Sequence, residues 1–212
     1  MDSDVINVYK VIKNNSKKLI NYLEKLNKSY TKKDFEILVK VFNENKSDKV
    51  LLAGIYIYLN KKSFNGNMYY NQKNYKIYPR YSESKKMYNV YKNDNIEDIS
   101  KLLNNTLIKK KDYIKFLKEC DIKKGDFVFF DPPYLVNGIQ QYYKEIFDIE
   151  NYKILKHVCD KLNNKGINFM ITLNKHPKLK ELFKEYNIKI FKKYSTYTNG
   201  KFDEYEMIIT NY

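Results

Sequence analysis

Residues 125–135 read GDFVFFDPPYL, a short unbroken apolar run running straight into an acid and two prolines. Four apolar residues in a row, without polar alternation, suggest a central strand buried on both faces of a sheet. The two prolines end the strand, because each fixes φ and lacks a backbone N–H. In open α/β sheets ligands gather at the carboxyl ends of strands, which is where Asp131-Pro132-Pro133-Tyr134 falls. The turn presents acceptors: the Asp131 carboxylate and the backbone carbonyl of Pro132. Converging acceptors suit a group with two N–H bonds, such as an exocyclic amine. Hydrogen bonds of that kind would draw the amine nitrogen toward tetrahedral geometry and free its lone pair for attack. Tyr134 adds a flat face on which a planar base can stack. This chemistry requires no metal. The competing interpretation is a rigid proline turn that merely closes a strand, and the strand context favours a site.

Working outward, residues 149–162 form an amphipathic helix closed by Asn164-Lys165-Gly166. INFMITL (167–173) reads as a second buried strand ending at Asn174, itself either a polar site wall or a simple strand terminator. Residues 177–186 read as a helix with Pro177 in its first turn. IKIFKKYST and DEYEMIITNY are alternating strands, predicted to pair antiparallel across Asn199-Gly200. Strand, helix, strand, helix and hairpin predict a three-layer α/β half-sheet.

Upstream, residues 6–26 carry apolar side chains at helical spacing and predict one or two helices. A second helix is expected over 31–43, starting at Thr31 with Asp34 three residues on. A strongly apolar third is expected over 49–59. Residues 60–81, NKKSFNGNMYYNQKNYKIYPRY, change character to Asn, Lys and Tyr. Turn signals at Asn65-Gly66 and at 72–74 predict an exposed basic hairpin. Residues 95–105 are helical again, and 106–110 read as a short strand.

The 212 residues suit one domain, or one with a sizeable insertion, and 43% hydrophobic residues suffice for a core. The formal charge of +15 suggests a polyanionic partner. It is discounted because Arg80 is the only arginine among 40 basic residues, a bias that an AT-rich genome imposes on any protein. The longest apolar stretch, VLLAGIYIYL, is too short and too tyrosine-rich to cross a membrane. The N-terminus lacks the basic-then-apolar order of a secretory signal, so export is not expected. Cys120 and Cys159 have neither metal spacing nor a CxxC pattern and read as buried thiols. His157 and His176 show no partner spacing.

VFFDPPYL resembles the catalytic motif of S-adenosylmethionine-dependent amino-methyltransferases. DSDVINVYKVIKNN, LNKKSFNGNMYYN with YPRY, KKKDYIKFL, FDIENYKILKHV, ITLN and KFDEYEMIITNY narrow the resemblance to the Dam-type adenine-specific DNA methyltransferases. The family implies an α/β fold: a partial Rossmann-like methyltransferase sheet with an inserted, mainly helical target-recognition domain. On that pattern 1–30 begin the catalytic domain, 31–105 are the insertion with its hairpin at 60–81, and 106–212 are the catalytic α/β part. The implied reaction moves a methyl group from S-adenosylmethionine to the 6-amino group of a flipped adenine in double-stranded DNA. Asp131, Pro132, Pro133 and Tyr134 would carry it, with Asp131 also touching the cofactor. Asp112 is similar to the acid that contacts the cofactor's adenine; without the family it would be an ordinary helix N-cap. Lys61, Lys62, Phe64, Asn65, Tyr69 and Asn71 match the DNA-reading hairpin, with Phe64 as a wedge into the base stack. Tyr69 stands where some members carry a base-reading arginine, a departure that removes a bidentate guanine contact. The resemblance implies a cytoplasmic protein of prokaryotic or viral type.

The family's FxGxG cofactor loop has no counterpart, since no two of the six glycines form a Gly-X-Gly. The chain alone is therefore expected to bind S-adenosylmethionine poorly or not at all, which leaves open a truncated gene product, one half of a split enzyme completed by a separate N-terminal half, or a domain whose start is misplaced. Against the enzyme stands a non-catalytic DNA-binding remnant or subunit. A third class, amine methylation of RNA or protein, uses similar turns, and the SFNG hairpin favours DNA.

Overall fold

The structure, a computed structural model, describes residues 3–28, 31–45, 47–71, 73–85, 93–135, 147–193 and 204–212. Chain packing divides into two compact units, Met1–Lys110 and Lys111–Tyr212.

The first unit is helical because its apolar residues recur at helical spacing. Helix α1 (Ser3–Leu26) buries Val8, Val11, Ile12, Leu19, Ile20, Leu23 and Leu26, and breaks at Asn15 (φ −142°, ψ 32°). The single element is thus two helical segments joined at a kink. Helix α2 (Lys32–Glu44) starts at the expected box: the Thr31 side chain accepts from the Asp34 N–H, and the Asp34 carboxylate accepts from the Thr31 N–H. Asp48 caps α3 (Lys49–Lys62) by accepting from the N–H groups of Val50 and Leu51. Helix α4 is Asn93–Leu103. Phe35, Phe42, Ala53, Ile55, Tyr58, Leu59, Ile77 and Ile96 join the α1 residues in one core. Residues 106–110, expected as a strand, are irregular. Two apolar residues before three lysines offer no face to bury, and a strand without a ladder partner is not stable.

The second unit holds helix α5 (Tyr113–Glu119), strand β1 (Phe127–Phe130), helix α6 (Ile149–Asn164), strand β2 (Asn168–Asn174), helix α7 (Pro177–Leu182), and strands β3 (Asn187–Lys193) and β4 (Glu204–Thr210). The sheet runs β1-β2-β4-β3, with β1 and β2 parallel and the other pairs antiparallel. Gly166, at φ +67°, closes α6 and lets the Ile167 N–H reach back to the Leu162 carbonyl at 3.0 Å. The expected α7 stops at Leu182, four residues early. The Asn199-Gly200 turn lies outside the described residues.

Two expectations need correction. Among the described residues β1 has one neighbour, β2, and so is an edge strand. Within this unit, among the described residues, one face of the sheet is covered. Tyr152, Leu155, Cys159 and Leu162 of α6 pack with Leu179 and Phe183 against Phe130, Phe169, Ile171, Leu173, Met207 and Ile209. The opposite face carries Phe127 and Phe129, 53% and 54% exposed. Hence these elements make two layers, and the all-apolar strand, expected to be buried on both sides, is open on one. Phe127 meets Tyr212 edge-on at 6.3 Å.

Candidate active site

The parallel register pairs Phe130 with Ile171, so the next step along both strands brings Asp131 beside Thr172. Alternation puts Phe127, Phe129 and Asp131 on the same open face as Met170 and Thr172. There Thr172 Oγ1 donates to Asp131 Oδ1 at 2.8 Å. Asp131 is exposed, its carboxylate oriented by a neighbouring hydroxyl rather than sunk into the core.

The rest of the turn is fixed by three more side chains. Asn174, the last residue of β2, accepts from the Leu135 N–H at 3.0 Å and donates to the Leu135 carbonyl at 2.8 Å. Its register partner on β4, Glu206, accepts from the Tyr134 hydroxyl. From α6, the buried Tyr152 donates to the Pro133 carbonyl. The far end of the Tyr134 ring is therefore anchored at its hydroxyl. Sequence alone leaves Asn174 undecided between site wall and terminator; the structure makes it a clamp on the turn. Thr172, Tyr152 and Glu206 are absent from the sequence-based site altogether. The signal for Thr172 was a lone hydroxyl interrupting an apolar strand. Glu206 and Tyr152 had none, because their partners lie 72 and 19 residues away.

Asp112 caps α5, accepting from the Lys115 N–H at 3.1 Å, as its local sequence alone would have it. Next to it, Tyr113 packs edge-on against Phe130 at 6.1 Å. That contact sets the start of α5 beside the end of β1 on the covered face, opposite the face that carries Asp131. The carboxylates of Asp112 and Asp131 are both exposed. Burial, with the Asp112 charge adding to it, pushes the Tyr113 phenol up to about 12. It stays neutral at physiological pH. Exposed carboxylates suit the amino groups of S-adenosylmethionine, while a close backbone approach through Gly-X-Gly is missing from the sequence.

In the first unit the basic segment is a hairpin. Phe64 N–H donates to the Arg80 carbonyl (2.7 Å), Tyr78 N–H to Tyr69 (2.9 Å) and Asn71 N–H to Lys76 (2.9 Å). Its tip falls at the second turn signal. Asn65-Gly66 instead makes a short left-handed corner (φ +56° and +71°) after α3, held by Asn60 Nδ2 donating to the Gly66 carbonyl at 2.6 Å. This corner leaves Phe64 55% exposed, with Asn65 and Lys61 also exposed. Lys62 is different: at 2% exposure its side chain is buried, and burial lowers its pKa, so it is withdrawn from the surface set expected of the hairpin. Tyr69 stacks on Tyr78 at 5.7 Å and its hydroxyl accepts from Asn67. The Asn71 side chain accepts from the Lys73 N–H at 2.9 Å and so shapes the tip. The facing arm adds exposed Tyr75, Tyr78 and Arg80, which the sequence did not single out.

An α/β sheet that holds an acceptor turn at a strand end, together with a separate basic hairpin, fits the DNA methyltransferase class. The chain belongs to the D12 class N6 adenine-specific DNA methyltransferase family, which it matches over residues 1–197. Over its whole length it is 32% identical to the Type II methyltransferase M1.LlaDCHI of Lactococcus lactis subsp. cremoris, covering 77% of that protein. It is 28% identical to the Type II methyltransferase M.MjaIII of Methanocaldococcus jannaschii, covering 78% of it. Ninety per cent of the chain is 24% identical to a quarter (25%) of the DNA N-6-adenine-methyltransferase of Escherichia phage P1. Among the described residues no helix is long and apolar enough to cross a membrane.

Proposed function

We propose that the protein methylates the 6-amino group of an adenine turned out of double-stranded DNA, with S-adenosylmethionine supplying the methyl group. The observation that carries this reading is the exposed Asp131 carboxylate, oriented by Thr172 at the end of a sheet strand. Asp131 and the Pro132 carbonyl accept the two N–H bonds of the target amine, and the anchored ring of Tyr134 stacks on the base. Pro133 supports the turn through its carbonyl, which is already occupied by Tyr152. Asp112 and Asp131 hold amino groups of the methyl donor. The hairpin faces DNA with Lys61, Phe64, Asn65 and Tyr69, while Asn71 shapes its tip and Lys62 supports it from the interior. Residues 31–105 act as the target-recognition part, and 1–30 and 106–212 serve catalysis. A companion N-terminal half bearing a Gly-X-Gly loop completes the donor pocket. Acting on DNA as a partner of a restriction system, the protein works in the cytoplasm of a prokaryotic or virus-infected cell.

The experiment is transfer of labelled methyl groups to unmethylated genomic DNA, with and without a supplied N-terminal half. Asp131→Ala should abolish transfer while retaining DNA in a mobility shift; Phe64→Ala should weaken the shift several-fold. Transfer by Asp131→Ala at the unaltered rate sinks the assignment. DNA binding without transfer under either condition favours a non-catalytic DNA-binding subunit.

A further inference from the structure

We infer that Thr172 is a positioning residue for Asp131, an inference that rests on reading Asp131 as the acceptor of the target amine. Thr172 lies inside β2, between β1 and β4, with Ile208 as its register partner and Met170 two residues before it on the same face. In that apolar setting the expected β-branched residue is valine. Threonine differs from valine by one hydroxyl in place of a methyl group, and here that hydroxyl meets Asp131 Oδ1 at 2.8 Å. A carboxylate only accepts, so Thr172 is the donor. Strand pairing fixes the Thr172 backbone, and β-branching limits its χ1, so the hydroxyl is held in place before substrate arrives.

An exposed carboxylate otherwise turns freely about its Cβ–Cγ bond. Holding Oδ1 stops that rotation and leaves Oδ2 as the oxygen offered to the amine. Acceptors aimed in advance lower the reorganisation required in the transition state. Thr172 touches neither substrate nor donor in this role, and its effect belongs in kcat rather than in DNA affinity.

The test uses the full chain, assayed for methyl transfer to unmethylated genomic DNA with and without the N-terminal half. Thr172→Val should lower kcat roughly tenfold, with KM for DNA and the mobility shift unchanged. Thr172→Ser, which keeps the donor, should recover kcat to within about twofold of the unaltered protein. Equal turnover by Thr172→Val and the unaltered protein overturns the positioning role alone, as does equal impairment of the Val and Ser variants. Undiminished transfer by Asp131→Ala, or no transfer by the unaltered chain under both conditions, overturns the reading of Asp131 and the role of Thr172 with it.

Discussion

Each unit contains an asparagine that grips one backbone residue at both its N–H and its carbonyl. In the helical unit, Asn43 of α2 accepts from the Ile77 N–H at 2.9 Å and donates to the Ile77 carbonyl at 3.0 Å. In the sheet unit, Asn174 makes the same pair of bonds to Leu135. A side-chain amide used this way imitates a neighbouring strand and satisfies backbone groups that no strand partner reaches. What differs is the cargo. Asn43 straps the return arm of the basic hairpin to a helix; Asn174 straps the Asp-Pro-Pro-Tyr turn to the sheet. On the proposed function one device serves recognition in one unit and chemistry in the other, and the two functions should fail separately.

The larger effect is expected at Asn174. Asn174→Ala strands a donor and an acceptor of Leu135, and an unmade hydrogen bond to a partly buried group costs about 1–3 kcal/mol. Expressed in the transition state, that corresponds to a fall in kcat of between about fivefold and about 150-fold. Steady-state transfer kinetics and a mobility shift measured together should show kcat lost and DNA affinity kept. If DNA affinity falls in step with kcat, the separation between the two clamps is broken.

At Asn43 the pattern should reverse. Asn43→Ala releases the arm that carries Tyr78 and Arg80, and DNA binding should weaken with it. A loss of about fivefold in affinity is expected, alongside a loss of about 1–3 kcal/mol in denaturant unfolding. The kcat measured at saturating DNA should stay within about twofold of the unaltered protein. A variant with intact DNA affinity and reduced stability would assign Asn43 to folding alone.

The same contrast explains what could be read in the sequence. Short-range devices were legible. Thr31 with Asp34 marked the start of α2, the acid of KKKDYIKFL marked a helix cap, and the Asn-rich segment marked a hairpin, because each signal and its partner lie within a few residues. The turn itself was legible as a chemical pattern. What holds the turn was not, since Thr172, Asn174 and Glu206 find their partners 41, 39 and 72 residues away, through a strand register that local pattern does not specify. The burial of Lys62 was hidden for a related reason. Lys61 and Lys62 look alike in sequence, yet adjacent positions on a helix point about 100° apart, and only the packing of α3 decides which one goes inside. Apolar character also misled in the opposite direction: FVFF promises burial without saying which face receives it.

The smallest effect concerns the covered face, and it checks that the Asn174 clamp is local. Cys159 on α6 is fully buried in the core beneath the sheet, whereas Cys120, at the end of α5, is half-buried. Burial pushes the Cys159 thiol up to about 12, with the Asp160 charge adding and Lys156 opposing. Its folded pKa is raised, so at neutral pH it is protonated as well as shielded, and the thiolate that reacts with disulfide reagents is scarce. Labelling of the native protein should therefore modify Cys120 first and reach Cys159 only through unfolding. In Asn174→Ala the Cys159 rate should change by less than about threefold, because the clamp lies at the end of β2 and the α6 core keeps its contacts. A large acceleration would show that Asn174 supports the whole sheet unit, and the loss of kcat would then report unfolding rather than a displaced turn.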